Sequence, residues 1–420
     1  MNAYELFLKS SGITIDSRQI RKNQLFLALK GPNFNGNSYV KEALNKGAIG
    51  AIVDEKNAVL GDNCILVEDV LKCLQDMATM HRERMNIPVI GLTGSNGKTT
   101  VKELLQRSLE SKYQVLATQG NFNNHIGVPL TLLRITSKHD IAIIEMGANH
   151  QGEIKSYCQW AQPTHGVITN IGQAHLEGFG GIEGVLKGKM ELFDFVCASK
   201  GHVFYPNDEQ GIDASLSNYA QKTTFGLDAV ADFSIPIRTN NDTLTLSQKG
   251  QMLDFQLKGA FNRNNIIGAA CIATHFGIKT ADYLPPLLRY NPSNNRSQYL
   301  QKNQATVVLD AYNANPSSMR ASIEAFVARS GNKILILGEM KELGEFSKDE
   351  HQKLVDFVQS LPVSLTLFYG KEFETCQLGN DQQFVNNRDS LRRTLINQSK
   401  KECSILIKGS RSCRLEQLLD

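Results

Sequence analysis

The sequence predicts an α/β protein with three domains, each built on a mostly parallel sheet. Its 420 residues are more than one hydrophobic core usually serves, and this length favours about three domains. Short apolar runs alternate with segments of helical spacing, a pattern typical of doubly wound folds. A glycine-rich turn at 91–100 lies between an apolar run and a helical segment, as in a P-loop. We therefore predict a small N-terminal α/β domain, a central P-loop domain with a parallel sheet, and a second doubly wound domain at the C-terminus.

The N-terminal domain is predicted to span residues 1–82. Its apolar runs at 25–29 and 50–53 read as strands, and helix-like segments separate them. The polar segment 81–86, HRERMN, directly precedes the next apolar run, so we predict that it contains the first linker.

The central domain is predicted to span residues 83–292, and the C-terminal domain residues 293–420. Buried strands are expected in the central domain at 87–90, 141–144, 166–169 and 202–205, with a helix at 101–109. In the C-terminal domain they are expected at 305–309, 334–337, 365–369 and 404–408. The second boundary is placed in the Pro- and Asn-rich stretch from Pro285-Pro286 to YNPSNN at 290–295.

Composition argues against several classes of protein. The formal charge of +3 is small and evenly spread, so we expect no nucleic-acid partner. The N-terminus lacks the apolar core of a signal peptide, and no run approaches the roughly 18 apolar residues of a membrane helix. The eight cysteines form no C-x-x-C pair, which fits neither a zinc site nor a disulfide framework. We expect a cytoplasmic protein with reduced thiols and no membrane insertion, and a monomer.

The turn GLTGSNGKTT at 91–100 carries the strongest functional signal. A strand, a tight glycine turn and a helix start let backbone N–H groups and the helix N-terminus face a phosphate. Lys98 would then reach the β- and γ-phosphates of ATP, and Thr99 would bind Mg²⁺. The loop is a variant, because Leu92 stands where the G-x-x-x-x-G-K-[ST] pattern has glycine. The alternative is a plain glycine turn followed by a fortuitous Lys-Thr.

Three further side chains are candidates for the chemistry. Glu145 ends an apolar run, which is the place of a carboxylate that holds the metal of a P-loop enzyme. His175 follows another apolar run in a loop at the carboxyl edge of the predicted sheet, where ligands of open α/β sheets bind. Lys189 lies in a helix-like segment. A strand-end acid, a structural histidine and a solvated lysine are the alternative interpretations.

Six segments of the chain also carry a family resemblance. They are GLTGSNGKTT (91–100), NFNNHIGVPLTLL (121–133), EMGANHQGEI (145–154), ITNIGQAHLEGFG (168–180), DAYNANPSSM (310–319) and LGEMKELGE (337–345). Together they resemble the Mur ligase family, in its order and over nearly the whole chain. The resemblance is greatest to the member that adds D-alanyl-D-alanine to UDP-N-acetylmuramoyl-tripeptide. It implies an ATP-dependent amide ligase of peptidoglycan synthesis with a UDP-sugar-binding first domain, a central ATPase domain and a C-terminal Rossmann-like domain.

The resemblance also implies roles for individual residues toward ATP and Mg²⁺. Thr99, Glu145, His175 and Lys189 would hold metal, with Lys189 as a carbamate, whose oxygens suit Mg²⁺ better than an ammonium does. Catalysis would rest on Lys98, Lys189, His175 and Glu145. The implied ATP-binding residues are Gly94, Ser95, Asn96, Gly97, Lys98, Thr99, Thr100, Asn124, Asn262, Asn265, Arg296 and Asp310. Phe261 departs from the family pattern, which has histidine there.

The two other substrates would contact the outer domains. The DSR segment of Asp16, Ser17 and Arg18 resembles the one associated with the UDP-sugar. The loop after the strand at 305–309 would receive D-alanyl-D-alanine, and Ser317 or Ser318 can cap the helix that follows it. The implied contacts to the dipeptide are Tyr312, Asn313, Asn315 and Ser318. KGSR at 408–411 also matches a late family segment.

Two kinds of rival remain open at this point. One is a sister ligase, either the enzyme that adds the third amino acid or folylpolyglutamate synthase. The first of these would favour a DNPR-like segment in the last domain, where this chain has DAYNANP. The other rival is a P-loop nucleotide-binding protein without ligase chemistry, which would need neither Lys189 nor the asparagine-rich loops.

Overall fold

The computed structural model describes residues 2–292 and 295–420 and has the predicted three-domain α/β architecture. Each domain is built on one larger, mostly parallel sheet, and two small antiparallel sheets of three and two strands accompany them. The domain boundaries stay predictions. Helix α3 (Val70–Glu83) continues across the predicted first boundary. Residues 293 and 294, at the predicted second boundary, lie outside the described part of the chain.

The N-terminal domain has a four-stranded parallel sheet in the order β1-β2-β5-β6. Its strands are β1 (Ile13–Thr14), β2 (Leu25–Leu27), β3 (Lys30–Gly31), β4 (Phe34–Asn35), β5 (Gly50–Val53) and β6 (Cys64–Leu66), and its helices are α1 (Ala3–Lys9), α2 (Val40–Asn45) and α3. Strands β3 and β4 form a separate hairpin. Both predicted strands are confirmed, although β2 ends at Leu27, two residues early.

The predicted linker at 81–86 packs against the central domain. Its first residues complete α3, and His81 and Arg82 are buried. The His81 ring hydrogen-bonds the Tyr4 hydroxyl at 3.0 Å and the Ile135 carbonyl oxygen at 2.8 Å. The Arg82 guanidinium donates to the Ala161 carbonyl oxygen at 2.8 Å. These side chains bond backbone carbonyl groups of the central domain, which satisfies the hydrogen-bonding capacity of both partners.

The central domain has a seven-stranded parallel sheet in the order β13-β12-β11-β10-β7-β9-β8. Its strands are β7 (Val89–Thr93), β8 (Val115–Ala117), β9 (Ile141–Glu145), β10 (His165–Ile168), β11 (His202–Pro206), β12 (Lys222–Gly226) and β13 (Phe233–Ser234). Its helices are α4 (Lys98–Leu109), α5 (Gly127–Leu132), α6 (Glu153–Ala161), α7 (Leu176–Phe179), α8 (Ile182–Ala198), α9 (Gln210–Ser215), α10 (Arg263–His275) and α11 (Thr280–Leu288). Strands β8 and β9 lie on one side of β7, and β10 to β13 lie on the other. The loop after β7 therefore opens at the topological switch point, where ligands of such sheets bind.

Two features of this domain differ from the sequence pattern. An antiparallel sheet of β14 (Ile237–Asn240), β15 (Thr243–Gln248) and β16 (Gln251–Asp254) follows the parallel one, and its half-exposed strands lack the continuous apolar runs that revealed the others. Pro285 and Pro286, assigned to the second boundary, lie inside α11. Proline is tolerated there because Tyr283, Leu284 and Leu287 of α11 are buried, and this packing offsets the lost hydrogen bonds.

The C-terminal domain has a six-stranded sheet in the order β17-β18-β22-β19-β20-β21. Its strands are β17 (Gln298–Lys302), β18 (Ala305–Asp310), β19 (Lys333–Gly338), β20 (Leu365–Tyr369), β21 (Gln382–Val385) and β22 (Cys403–Lys408), with helices α12 (Pro316–Val327), α13 (Ser347–Gln359) and α14 (Arg388–Ser399). All four predicted strands are confirmed. Only the edge strand β17 pairs antiparallel in this sheet.

All eight cysteines are free thiols. Within residues 2–292 and 295–420, no helix combines the length and the apolar character needed to span a bilayer.

Three histidines cluster at the amino ends of the central strands, away from the P-loop. His165 begins β10, His202 begins β11, and the ring of His275 at the end of α10 lies 5.3 Å and 4.5 Å from theirs. Burial, and then the neighbouring histidines, lower the pKa values of His165 and His202 to about 4. The unfolded chain, with histidine pKa values near 6.5, therefore binds more protons between about pH 6.5 and pH 4.

The free energy of unfolding should accordingly fall as the pH drops through this window. Wild-type protein should lose free energy of unfolding between pH 7 and pH 5. We expect His202→Gln, which keeps a donor near the Thr223 hydroxyl, to reduce that loss by about 1 kcal/mol, because His202 is partly exposed and solvent screens its charge. Urea unfolding of both proteins at the two pH values measures the difference, and the carboxylates cancel because both proteins share them. Identical losses would contradict the prediction.

Candidate active site

A cleft of about 710 Å³ opens between the carboxyl ends of the central and C-terminal strands. Loops after β7, β8, β9 and β10 form one wall, and the loop after β18 forms the other together with Lys408 at the end of β22. The cleft is lined by most of the predicted site residues. These are Ser95, Asn96, Gly97, Lys98, Thr99, Thr100, Asn124, Glu145, His175, Asn262, Asn265, Arg296, Asp310, Tyr312, Asn313, Asn315 and Ser318. Their predicted roles were assigned from separate segments, and the fold brings those segments to one place.

The P-loop has the backbone that its glycines predict. Gly94 and Gly97 have φ values of 144° and 79°, in the left-handed region that favours glycine. A Cβ atom at Gly94 would lie 1.9 Å from the Thr169 hydroxyl oxygen, so no larger residue fits. Helix α4 begins at Lys98 directly after the turn, and its free N–H groups face the cleft.

Lys98 lies over its own loop. Its ammonium donates to the carbonyl oxygens of Gly94 at 2.8 Å and Ser95 at 3.3 Å. Burial lowers the pKa of Lys98, the Glu145 charge raises it, and the Arg296 charge lowers it further. An anion in the cleft would relieve both unfavourable effects on the ammonium, which makes this a receptive position for phosphate.

Glu145 and Thr99 meet beneath the loop. The Thr99 hydroxyl lies 3.0 Å and 3.2 Å from the two carboxylate oxygens of Glu145, which is buried. The Asn123 amide donates to Glu145 at 2.8 Å and holds the carboxylate in place. These hard oxygen donors suit Mg²⁺. No group of three or more His, Cys, Asp or Glu in the described ranges could hold a metal alone, which is compatible with Mg²⁺ because this ion keeps water and phosphate ligands.

His175 reaches the cleft from the loop before α7. Its backbone is left-handed, with φ 54°, and its Nδ1 atom pairs with the Glu342 carboxylate of the C-terminal domain. This contact is the main cause of a lowered pKa at Glu342. The backbone N–H of Glu177 also donates to the Glu342 carbonyl oxygen, at 3.3 Å. His175 therefore links two domains, and its predicted role toward a metal stays a prediction.

Lys189 lies behind the cleft wall, inside α8. Its side chain is 1% exposed, and its ammonium lies 3.5 Å from the Ala148 carbonyl oxygen and 5.0 Å from the centre of the Phe179 ring. Burial, and then the charge of Lys98, lowers the pKa of Lys189 well below its usual value. The alternative of a solvated lysine is therefore wrong.

The predicted asparagines after β8 and at the start of α10 bond neighbouring backbone groups or one another. Asn124 accepts hydrogen bonds from the N–H groups of Ile126 and Gly127 at the start of α5. The Asn265 amide donates to Asn262 at 2.8 Å, and Asn265 also lies against the P-loop, 2.6 Å from where a Cβ of Gly97 would be. Phe261, the departure from the family pattern, lines the cleft with 38% of its surface exposed.

The far wall of the cleft is positively charged. The Arg296 guanidinium stacks 3.9 Å from the centre of the Tyr312 ring, and Arg411 of the KGSR segment lies 5.2 Å from the same ring. Asp310 accepts a hydrogen bond from Lys408 at 2.6 Å and thereby neutralises this buried cation. The guanidinium of Arg296 remains available to an anionic ligand.

The loop after β18 ends in a helix cap. Asn315, rather than Ser317 or Ser318, is the N-cap of α12, and Ser318 is its partner in a capping box. The expectation of a serine cap was wrong because Pro316 follows Asn315 and fixes the first helical position there. Asn313 accepts a hydrogen bond from the Ala314 N–H and is exposed in the cleft.

Five predicted residues lie apart from the cleft lining, and one of them is the buried Lys189. Gly94 adjoins it through Ser95. Asp16, Ser17 and Arg18 belong to the N-terminal domain, where Arg18 donates to Asp16 at 2.8 Å and 2.9 Å and lowers the pKa of Asp16 to about 2. Their predicted role toward the UDP-sugar stays a prediction.

Among the cleft residues that were not predicted, three bond predicted site residues directly. Asn123 holds Glu145, Asn170 accepts from the Asn96 N–H at 3.0 Å, and Ser317 accepts from the Asn96 amide at 3.0 Å. All three are within the family-like segments, but a polar loop residue gives no sign of its partner when the partner is distant in sequence.

Comparison with known proteins gives one consistent result. Family models match residues 9–88 (Mur ligase family, catalytic domain), 92–273 (Mur ligase middle domain) and 295–411 (Mur ligase, glutamate ligase domain). The UDP-N-acetylmuramoyl-tripeptide--D-alanyl-D-alanine ligase of Haemophilus influenzae is 34% identical, over 97% of this chain and 92% of its own length.

Solved structures agree in fold. The crystal structure of MurF from Acinetobacter baumannii has a TM-score of 0.88 and 29% identity, and covers 99% of this chain and 96% of its own. The structure of the MurF ligase from Thermotoga maritima in complex with ADP has a TM-score of 0.86 and 27% identity, with coverage of 100% and 97%. The predicted resemblance is confirmed, and the chain belongs to the Mur ligase family.

Proposed function

We propose that this protein is the ATP-dependent ligase that joins D-alanyl-D-alanine to UDP-N-acetylmuramoyl-tripeptide, EC 6.3.2.10. The product would be the pentapeptide precursor of peptidoglycan, made in the cytoplasm by a monomeric enzyme. One observation carries the proposal: a single cleft combines a P-loop and a buried carboxylate with an asparagine-rich loop from another domain. Relatives of that name match nearly the whole chain at about the same identity, 34% and 31% for the first two.

The first step would be phosphoryl transfer. The terminal carboxylate of the tripeptide attacks the γ-phosphorus of ATP in line, the bond to the bridging oxygen of ADP breaks, and an acyl phosphate forms. Lys98 would balance the charge of the transferring group, and the N–H groups at the start of α4 would hold the phosphates. Arg296, on the facing wall, would approach the nucleotide from the domain junction.

The second step would be amide formation. The free amine of D-alanyl-D-alanine attacks the acyl carbonyl carbon, and the tetrahedral intermediate expels phosphate and loses a proton. Tyr312, Asn313, Asn315 and Ser318 would position the dipeptide. Acyl phosphates hydrolyse readily, so the site must exclude water. The His175–Glu342 contact between domains supports closure of the C-terminal domain over the centre.

Mg²⁺ would be held by Thr99 and Glu145, with His175 and a carbamate of Lys189 as further ligands, and would neutralise phosphate charge. Lys189 suits that modification because a buried amine with a lowered pKa is neutral enough to add to CO₂, which gives the carbamate and releases a proton.

Competition between amines tests the proposed specificity. The protein is incubated with ATP, Mg²⁺, UDP-N-acetylmuramoyl-tripeptide and equal amounts of D-alanyl-D-alanine, diaminopimelate, lysine and glutamate, and the products are weighed by mass spectrometry. We expect one product, with the mass of UDP-N-acetylmuramoyl-pentapeptide, and no product that contains any of the other amines. A parallel reaction offers UDP-N-acetylmuramoyl-dipeptide or a folate instead. Extension of either one, without pentapeptide, would assign the chain to a sister ligase.

A further inference from the structure

The side chain of Asn96 leaves the P-loop and crosses to the C-terminal domain. Its Oδ1 atom accepts from the Asn315 amide at 2.9 Å, and its Nδ2 atom donates to the Ser317 hydroxyl at 3.0 Å. These partners are 219 and 221 residues away in sequence. The Ser317 hydroxyl in turn donates to Asn315 at 2.9 Å. The three side chains form a closed ring of hydrogen bonds, which we call the asparagine ring.

Each end of the ring is fixed to a rigid element. The Asn96 N–H donates to the Asn170 side-chain oxygen at 3.0 Å, and the Asn96 carbonyl oxygen accepts from the Thr169 hydroxyl at 2.5 Å. Asn315 is the N-cap of α12 and accepts from the Ser318 N–H at 2.8 Å. Few rotatable bonds lie between the two fixed ends, so a shift of the P-loop should also move the start of α12.

The backbone and the side chain of Asn96 have different partners. Its backbone belongs to the phosphate loop, whereas both polar atoms of its side chain bond the other domain. The space around the ring is also tight, because a Cβ atom at Gly172 would lie 2.7 Å from the Ser317 hydroxyl oxygen. The tight packing fixes how the two loops contact each other. One is the P-loop of the nucleotide site, and the other is the loop at Asn315, which we assign to the amine substrate.

We propose that Asn96 is a positioning residue that couples nucleotide binding to binding of the amine substrate. This inference rests on the proposed function, since it takes the loop at Asn315 as the dipeptide site. A nucleotide that orders the P-loop favours the closed ring, and the closed ring presents the loop at Asn315 in its binding conformation. Linkage requires the reverse as well: the dipeptide tightens nucleotide binding by the same factor.

Calorimetry tests this coupling without turnover. The Kd of D-alanyl-D-alanine is measured on the full chain with UDP-N-acetylmuramoyl-tripeptide present, first without and then with a non-hydrolysable ATP analogue. The ratio of the two Kd values is the coupling factor. Ser317→Ala and Asn96→Ala should each lower it about fivefold, the worth of about one net hydrogen bond. The double variant should be no lower than the worse single variant, because both break the same ring.

The matched control is Ser390→Ala on α14 of the same domain, where the Ser390 hydroxyl bonds Arg393 outside the cleft. In the double variant with Asn96→Ala, the two effects on the coupling factor should simply multiply. In turnover at saturating ATP, Ser317→Ala should raise the KM for D-alanyl-D-alanine about fivefold. The Kd of the ATP analogue, measured without dipeptide, should stay within about twofold of wild type. Coupling factors equal to wild type in both single variants, or losses that simply multiply in the double variant, would overturn the inference. A wild-type chain that binds no dipeptide with or without nucleotide would overturn the proposed function along with it.

Discussion

Replacing Lys98 by methionine should lower kcat/KM for ATP by about 10³-fold or more, because charge stabilisation at a transferring phosphoryl group is worth several orders of magnitude. Methionine keeps the apolar stem and removes the ammonium. In the structure that ammonium hydrogen-bonds neutral carbonyl oxygens of its own loop, and the buried Glu145 carboxylate keeps its hydrogen bonds from Thr99 and Asn123 when the charge is removed. The fold should therefore survive, and initial rates over a range of ATP concentrations give the loss.

Lys102→Met is the matched control for that variant. Lys102 lies on the same helix and is buried, but its ammonium donates to the Thr118 carbonyl oxygen at 2.8 Å. We expect this change to lower thermal stability and to alter kcat/KM by less than about tenfold. If Lys98→Met retained activity within tenfold of wild type, Lys98 would not be the phosphate-binding lysine.

Lys189→Ala should lower kcat by about 10²–10³-fold, a loss typical of removing one charge-stabilising group. A short carboxylic acid such as acetate should restore part of the rate, because it can supply the oxygens that the carbamate would provide in the space left by the side chain. The rate is measured against acetate concentration at constant ionic strength. Formamide, which is similar in size and uncharged, should not restore it.

Lys187→Ala provides the comparison on the same helix. Lys187 is exposed, and its loss should change kcat by less than about twofold. Mass spectrometry of the intact wild-type chain under CO₂ can then look for the carbamate directly. Full activity of Lys189→Ala without added acid would rule out the proposed role.

Much of this architecture follows from local patterns. Buried parallel strands read as continuous apolar runs, which is why the strands ending at Glu145 and Asp310 could be located from sequence. The P-loop was recognisable because its glycines, strand and helix lie within a dozen or so residues. Four asparagines predicted from the family-like segments line one cleft, namely Asn96, Asn124, Asn313 and Asn315, although the sequence did not reveal their hydrogen-bond partners.

The features that could not be predicted from the sequence depend on contacts between residues that are distant in the chain. The antiparallel strands β14–β16 are half-exposed, so they lack the apolar runs that mark the core. The polarity of the segment 81–86 predicted a linker but gave no sign that His81 and Arg82 are buried against distant carbonyl groups. Likewise, no periodicity connects Asn96 with Ser317, because that hydrogen bond exists only when two domains approach each other.

Phosphate release from ATP tests the central claim most directly. The protein is assayed with ATP and Mg²⁺, with and without UDP-N-acetylmuramoyl-tripeptide and D-alanyl-D-alanine, and the product is identified by mass. We predict release that requires both substrates and yields the pentapeptide mass. Release that depends on neither substrate, with no such product, would contradict the account and leave a P-loop protein that hydrolyses ATP for another purpose.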